Sequence, residues 1–259
     1  MIAPPRLAAE WDPVGLQIGA PEQRVERLAV CHEISDDAIG DLAEVDLVVV
    51  YHPLIFRPLA RLVPGGVPGR VLQLASAGTA VISVHTNFDA VAGGTADSLA
   101  AALGLERPLP FAPLHTSPGS DRSEPVAMIG RVGDLAPMPV EDLAEMVGSA
   151  LGGTVRVAVA TERAVTRVAV VPGSGADFVA DAVAVGAEVL VTGDIGHHRA
   201  RAALDAGLSI IDPGHMATER PGLAALYAAV CTIVAELAPD AGVEPVMIGG
   251  RDTDPWERS

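Results

Sequence analysis

The chain has 259 residues, a formal net charge of −16, 49% apolar residues and only 3% aromatic ones. The apolar share supports a sizeable core built mainly from Ala, Val, Leu and Ile, in one large domain or two modest ones. The acidic balance argues against a nucleic-acid partner, which needs clustered basic residues for phosphate neutralisation, and because the 17 basic residues are all arginine, Schiff-base chemistry on a lysine and a P-loop lysine are excluded.

The first residues, Met1-Ile2-Ala3-Pro4-Pro5-Arg6, lack the basic region and apolar core of a signal peptide. A strand is predicted at 25–31 and a short helix from Ser35, whose hydroxyl can cap it, to about 42. A second strand follows at 46–51, then a Pro- and Gly-rich loop at 57–69, a helix at 70–76, a strand at 80–85 and a helix at 95–103 closed by Gly104. Residues 106–125 carry five prolines and read as a linker or surface loop.

Beyond it the pattern predicts strands at 126–132, 154–160 and 166–171, with a helix at 141–151. Gly173-Ser174-Gly175 opens a helix to about 185; it resembles a phosphate-cradling turn, but a simple strand-to-helix turn explains it better. Strands at 188–191 and 208–211 flank a helix at 195–206. A long helix at 218–237 and a last short strand at 243–248 complete the pattern. Strands alternating with helices place the chain in the α/β class. No apolar stretch reads as long enough to span a bilayer, since the run at 223–237 is interrupted by Tyr227, Thr232 and Glu236. Cys31 and Cys231 show no metal or redox spacing, which predicts a reduced, cytoplasmic protein.

Three strand-like runs end in residues that bind metals: Tyr51-His52-Pro53, His85-Thr86-Asn87-Phe88-Asp89, and Asp212-Pro213-Gly214-His215 followed by Glu219. In an open α/β sheet, ligands collect beyond the carboxyl ends of the strands. His with Asp and Glu, without Cys, suits zinc, manganese or iron. His215 and Glu219 share a face if the long helix already includes His215; if Thr218 caps it instead, His215 sits in the entry turn. Gly193-Asp194-Ile195-Gly196-His197-His198 follows a fourth strand, and adjacent histidines point apart, so at most one reaches a common site. His32-Glu33 follows a fifth. No Gly-x-Ser-x-Gly elbow and no dinucleotide fingerprint after the first strand is present.

Together with Trp11-Asp12-Pro13-Val14-Gly15 and Gly130-Arg131-Val132-Gly133, these segments resemble the Nif-three-like dinuclear-metal family, widely known as GTP cyclohydrolase I type 2 homologues. The resemblance covers nearly the whole chain. It implies two interlocked α/β lobes with a metal site in the cleft between them, and a ring-shaped homohexamer. The lobes fall at 1–110, with 190–259 packing back on it, and at 126–189. The family's metal ligands map onto His52, Asp89, His215 and Glu219.

The chain also departs from the family. Tyr51 stands where the family has the first of two consecutive histidines, and His32-Glu33 where it has Leu-Asp. A neutral phenol with a pKa of about 10 is a poor ligand. One tightly held metal and a second, weaker or empty site are therefore expected. His32 either rescues the lost donor or simply packs in a turn.

Two functions compete. One is a metal-dependent hydrolase acting on a nucleotide-like or small polar substrate, with Glu33 or Glu219 shuttling the proton and His198 orienting or protonating the leaving group. The other is a non-catalytic metal-binding scaffold or regulatory adaptor. An open coordination position separates them, because structural sites are closed by protein ligands.

Overall fold

The computed structural model describes residues 1–114, 127–240, 242–248 and 254–255. In chain order the elements are β1 (Gly15–Ile18), β2 (Leu28–Cys31), α1 (Ile39–Leu42), β3 (Leu47–Val50), α2 (Gly66–Ala77), β4 (Ala80–Ser83), α3 (Thr86–Ala90), α4 (Thr95–Ala102) and β5 (Glu106–Pro113). They continue with β6 (Met128–Met138), α5 (Val140–Leu151), β7 (Arg156–Ala158), β8 (Val165–Ser174), α6 (Val179–Ala184), β9 (Val189–Gly193), α7 (His197–Asp205), β10 (Ser209–Asp212), α8 (His215–Leu237) and β11 (Pro245–Met247). The fold is α/β. It divides into two compact units, Met1–Phe88 with Leu226–Thr253, and Asp89–Ala225 with Asp254–Ser259.

The first unit is built on a five-stranded sheet of order β1-β4-β3-β2-β11. Strands β2, β3 and β4 are parallel and in register, Cys31 opposite Val50 and Val50 opposite Ser83. A parallel sheet is covered on both faces, so its strands are continuous apolar runs rather than alternating ones. Leu28-Ala29-Val30-Cys31 is accordingly buried at every position, and Leu47-Val48-Val49-Val50 at all but the first. Ala29, Cys31, Val48, Val50 and Val81 pack with Ile34, Leu42 and Leu74 in one core. Burial, and then the negative charge of Glu33, push the Cys31 thiol up to about 12, so it is an inert core residue. Strand β1 has no counterpart in the sequence expectation. It is a four-residue edge strand, antiparallel to β4 and interrupted by a register shift, too short to show a period of two. Gln17 ties it to the loop after β3, exchanging bonds with the Ile55 backbone (Ile55 N to Oε1 at 3.0 Å and Nε2 to Ile55 O at 3.2 Å).

The second unit carries a six-stranded sheet of order β5-β6-β8-β9-β10-β7. Its centre, β8-β9-β10, is parallel; β6, β5 and β7 are antiparallel additions. Helix α5 presents Val140, Leu143, Ala144, Val147 and Leu151 to a core shared with Val168, Val170, Val189, Val191 and Ile211. This spacing is the stripe of an amphipathic helix.

Three expectations are corrected here. Residues 106–113 form β5 and are not a linker. Pro108, Pro110 and Pro113 are tolerated because β5 is an edge strand, where a missing N–H costs no ladder bond on the open side. The remainder of that segment, 115–125 with His115, lies outside the described residues. The chain also returns to the first unit at Leu226 and not at 190. The reason is pairing: β9 bonds to β8 and β10 to β9, so residues 189–212 complete the second sheet. Finally, α8 is by length and composition long and apolar enough to cross a bilayer. Tyr227 and Thr232, uncharged, do not lower the apolar character of a 23-residue helix enough to exclude it.

The Gly130-Arg131-Val132-Gly133 motif is architectural. A Cβ on Gly130 would sit 2.5 Å from the Phe111 ring, and one on Gly133 would sit 2.8 Å from the Glu106 carbonyl oxygen. Both glycines therefore permit close pairing of β6 with β5. Arg131, 5% exposed, donates from Nε to Asp97 and from Nη1 to the carbonyls of Met128 and Gly130.

Candidate metal centre

In the first unit the three parallel strands end side by side at His32, His52 and His85. The ladder continues one step past them, with Tyr51 N donating to Cys31 O at 3.0 Å and His52 N to His32 O at 2.9 Å. The rings gather as a result. His32 stacks on Tyr51 with centroids 5.5 Å apart and planes 13° apart. It lies 4.4 Å from His52, and His52 lies 5.3 Å from His85. His32 and Tyr51 are buried, at 3% and 1% exposure.

Asp12 anchors this cluster. Its side chain is fully buried. It accepts from the Thr86 backbone N at 3.0 Å and the Thr86 hydroxyl at 2.5 Å, and contacts His85 Nδ1 at 3.0 Å. Burial by itself would raise the Asp12 pKa, but the His85 and Thr86 interactions outweigh it and hold the carboxyl below its usual range. A carboxylate on Nδ1 fixes the ring orientation of a histidine. Asn87 accepts from His85 N at 2.9 Å through Oδ1 and donates from Nδ2 to Ala3 O at 3.2 Å. Thr86 and Asn87 thus serve the turn, and Asp89 is buried on α3.

In the second unit the parallel strands β8, β9 and β10 end at Gly173-Ser174, Gly193-Asp194 and Asp212. Helix α8 begins at His215, so His215 and Glu219 share a face. His215 meets Asp194 Oδ2 through Nδ1 at 2.7 Å and Glu219 Oε1 through Nε2 at 3.1 Å. Asp194 reaches it from a left-handed backbone, φ 58°, a region Asp tolerates better than most residues. Asp212 holds the two loops together, accepting from Ile195 N at 3.1 Å and Gly214 N at 2.9 Å, and pairing with Arg156. Burial disfavours the His215 cation, but the ion pairs with Glu219 and Asp194 outweigh it and push its pKa up to about 9.

Gly173 leaves room for this pair. With φ at 62°, its added Cβ would fall 2.6 Å from Glu219 Oε1 and 3.3 Å from His215 Nε2. The absence of a side chain at Gly173 therefore makes room for both side chains. Gly173-Ser174-Gly175 cradles no phosphate: Gly173 N donates to the Thr218 hydroxyl and Gly175 N to the Thr192 hydroxyl, both at 2.8 Å. Gly173→Ala is expected to weaken divalent-metal binding by at least tenfold, because the methyl group displaces Glu219. A zinc competition titration of wild type and variant checks this.

The donor chemistry fits a divalent cation. Among the described residues, His32 and His52 in the first unit bring two imidazoles together, and Glu219 in the second offers a buried carboxylate, all residue types that hold metal ions. The carboxylates of Asp194 and Asp12 back His215 and His85 in the manner of outer partners at metal sites. Of the residues singled out as catalytic, Glu219 is 4% exposed. Glu33 is exposed beside His32, and His198 is exposed in the first turn of α7, its ring 5.3 Å from His197. The roles of Asp12, Asp194 and Asp212 were missed from sequence. The available signal was a carboxylate at or directly after the end of a strand, as at Asp194 and Asp212, or beside a tryptophan, as at Asp12.

The profile of the family described as Duf34/NIF3 (NGG1p interacting factor 3) matches residues 1–249. A Clostridium perfringens protein named GTP cyclohydrolase 1 type 2 homolog is 31% identical over 229 residues, covering 86% of this chain and 84% of that protein. One of the same name from Streptococcus pneumoniae is 33% identical over 220 residues, covering 82% and 80%. The crystal structure of a Bacillus cereus protein related to NIF3 matches in fold, with a TM-score of 0.85 at 23% identity, covering 100% of this chain and 96% of that one.

Proposed function

Since the chain belongs to the Duf34/NIF3 family, we propose that it is a cytoplasmic, divalent-metal-dependent hydrolase acting on a nucleotide-like or other small polar substrate, as the name of its relatives suggests. The observation that carries this reading is the His215–Glu219 pair, held by Asp194 from behind and given room by Gly173. His52, Asp89, His215 and Glu219 would hold the metal. When bound, it would supply Lewis acidity toward a carbonyl, phosphoryl or water oxygen.

The chain's own residues do the rest. Asp194 and Asp12 orient His215 and His85. Glu33 and His198, both exposed, are placed to exchange protons with solvent. Trp11 and Phe56, 60% and 47% exposed with rings 5.8 Å apart, offer π faces for a planar base, and Trp11 lies 6.2 Å from His85. With a net charge of −16, the protein has little to offer an anionic substrate except the metal and individual arginines. The resemblance also carries a homohexamer as the working assembly.

The test is metal analysis of the purified protein, followed by a hydrolysis screen on GTP, other nucleotides and phosphoesters, before and after chelation. Turnover lost on chelation and restored by metal is expected. Bound metal with no turnover on any substrate would favour the scaffold reading.

A further inference from the structure

We propose that His32 is a metal ligand in this protein, supplying from the end of β2 the imidazole that Tyr51 does not supply from the end of β3. This rests on the metal-binding reading above and names a donor outside its four.

Strands β2 and β3 are parallel with Cys31 opposite Val50, so the next residues, His32 and Tyr51, are cross-strand neighbours on one face of the sheet. Their rings stack with planes 13° apart. A stacked ring spends its faces on the neighbour and keeps its two nitrogens at the edge. The stack thus locks the imidazole in one orientation, the preorganisation a ligand requires.

The second observation is the neighbouring imidazole. The His52 ring is 4.4 Å away and tilted by 59°. Two imidazoles bound to one ion through Zn–N bonds of about 2.0–2.1 Å are likewise held close and tilted, not face to face. Ligand nitrogens of His32 and His52, both in the first unit, lie within 4.8 Å of one another.

The third is burial. His32 is 3% exposed at the outlet of an apolar strand, a place where a space-filling side chain would be apolar. The register explains how the exchange works. Moving an imidazole from position 51 to position 32 shifts it by one strand within the same row, and Tyr51 then supplies the wall against which it rests.

The test uses the full-length protein and Zn²⁺ as the probe, in competition titrations read by a chromophoric chelator. X-ray absorption of the loaded protein counts the imidazoles. Three variants are compared: His32→Phe, His52→Ala and the double variant His32→Phe/Tyr51→His. His32→Phe keeps a flat ring on Tyr51 and removes both nitrogens. A space-filling His32 tolerates it, whereas a ligand does not. Circular dichroism and thermal melts establish that each variant is folded, and His32→Asn serves as a second, smaller substitution should Phe disturb the core.

The expected result is at least a hundredfold weaker zinc binding in His32→Phe, comparable to His52→Ala. One imidazole should be lost from the absorption spectrum, and binding should recover in the double variant. Wild-type affinity and imidazole count in a folded His32→Phe or His32→Asn, with binding lost in His52→Ala, would overturn the proposal and leave the metal-binding reading standing. A wild-type protein that holds no zinc would overturn both.

Discussion

His215→Ala is expected to strip most of the divalent metal from the protein while leaving it folded. His215 is a half-exposed residue at the start of α8, so the truncation opens no core cavity. Its loss removes one donor and frees Glu219 from the 3.1 Å contact that aims it. Asp194→Asn gives a graded comparison. The Asn tolerates the left-handed backbone of Asp194 but no longer draws on the Nδ1 proton as a carboxylate does. A loss of about 10–100-fold in metal affinity, the usual effect of removing an outer partner, is expected there, and a larger one in His215→Ala. Equal metal content in wild type and His215→Ala by plasma emission would remove His215 from the ligand set.

The pH dependence of the same site has a definite sign. In chelated protein the His215 pKa is raised from 6.5 to about 9. Its cation therefore stabilises the fold fully below pH 6.5, and that contribution is lost as pH rises through about 9. Metal binding runs the other way, because the ion displaces this proton. Affinity should climb by up to about tenfold per pH unit over the same window. Melting temperatures from pH 6 to 9.5 with and without zinc should thus diverge, with the chelated protein falling and the loaded protein holding. In His215→Ala the divergence should vanish.

Asp12→Ala is expected to be the most destabilising single change near the site, by about 3 kcal/mol, the scale for removing one partner from a buried charged network. The Thr86 N–H, the Thr86 hydroxyl and His85 Nδ1 all lose their carboxylate. The Thr86 hydroxyl in turn receives Ala9 N at 2.9 Å, so the N-terminal segment loosens with it. Because the Asp12 pKa is lowered from 3.8, its contribution is present above that value and is lost as pH falls through the depressed one. Denaturant unfolding should separate wild type from Asp12→Ala at pH 7, and the gap should narrow as pH falls below 3.8. A constant gap across that range would mean that the carboxylate charge is not what stabilises the segment.

Much of this protein was legible in its sequence because parallel strands advertise themselves. Leu47-Val48-Val49-Val50 and Ala80-Val81-Ile82-Ser83 are apolar on both faces and stop abruptly at polar residues, so both the strand and its functional end can be read locally. The same holds for His215 and Glu219, whose spacing declares a shared helical face. What remained hidden depends on pairing between distant segments. Edge strands such as Gly15–Ile18 and the proline-bearing Glu106–Pro113 are defined by the neighbour they bond to and not by their own pattern. The point where the chain leaves the second unit, at Ala225, followed from the register of β8, β9 and β10.

Partnerships across long sequence gaps were hidden for the same reason. Asp12 meets His85 over 73 residues, and Asp194 meets His215 over 21. His32 showed the contrast most clearly. From sequence it was either a turn residue or a rescued ligand, since a single histidine after a strand carries no orientation. Only the in-register pairing of β2 with β3, which stacks its ring on Tyr51 with the tilted His52 ring 4.4 Å away, gave it one.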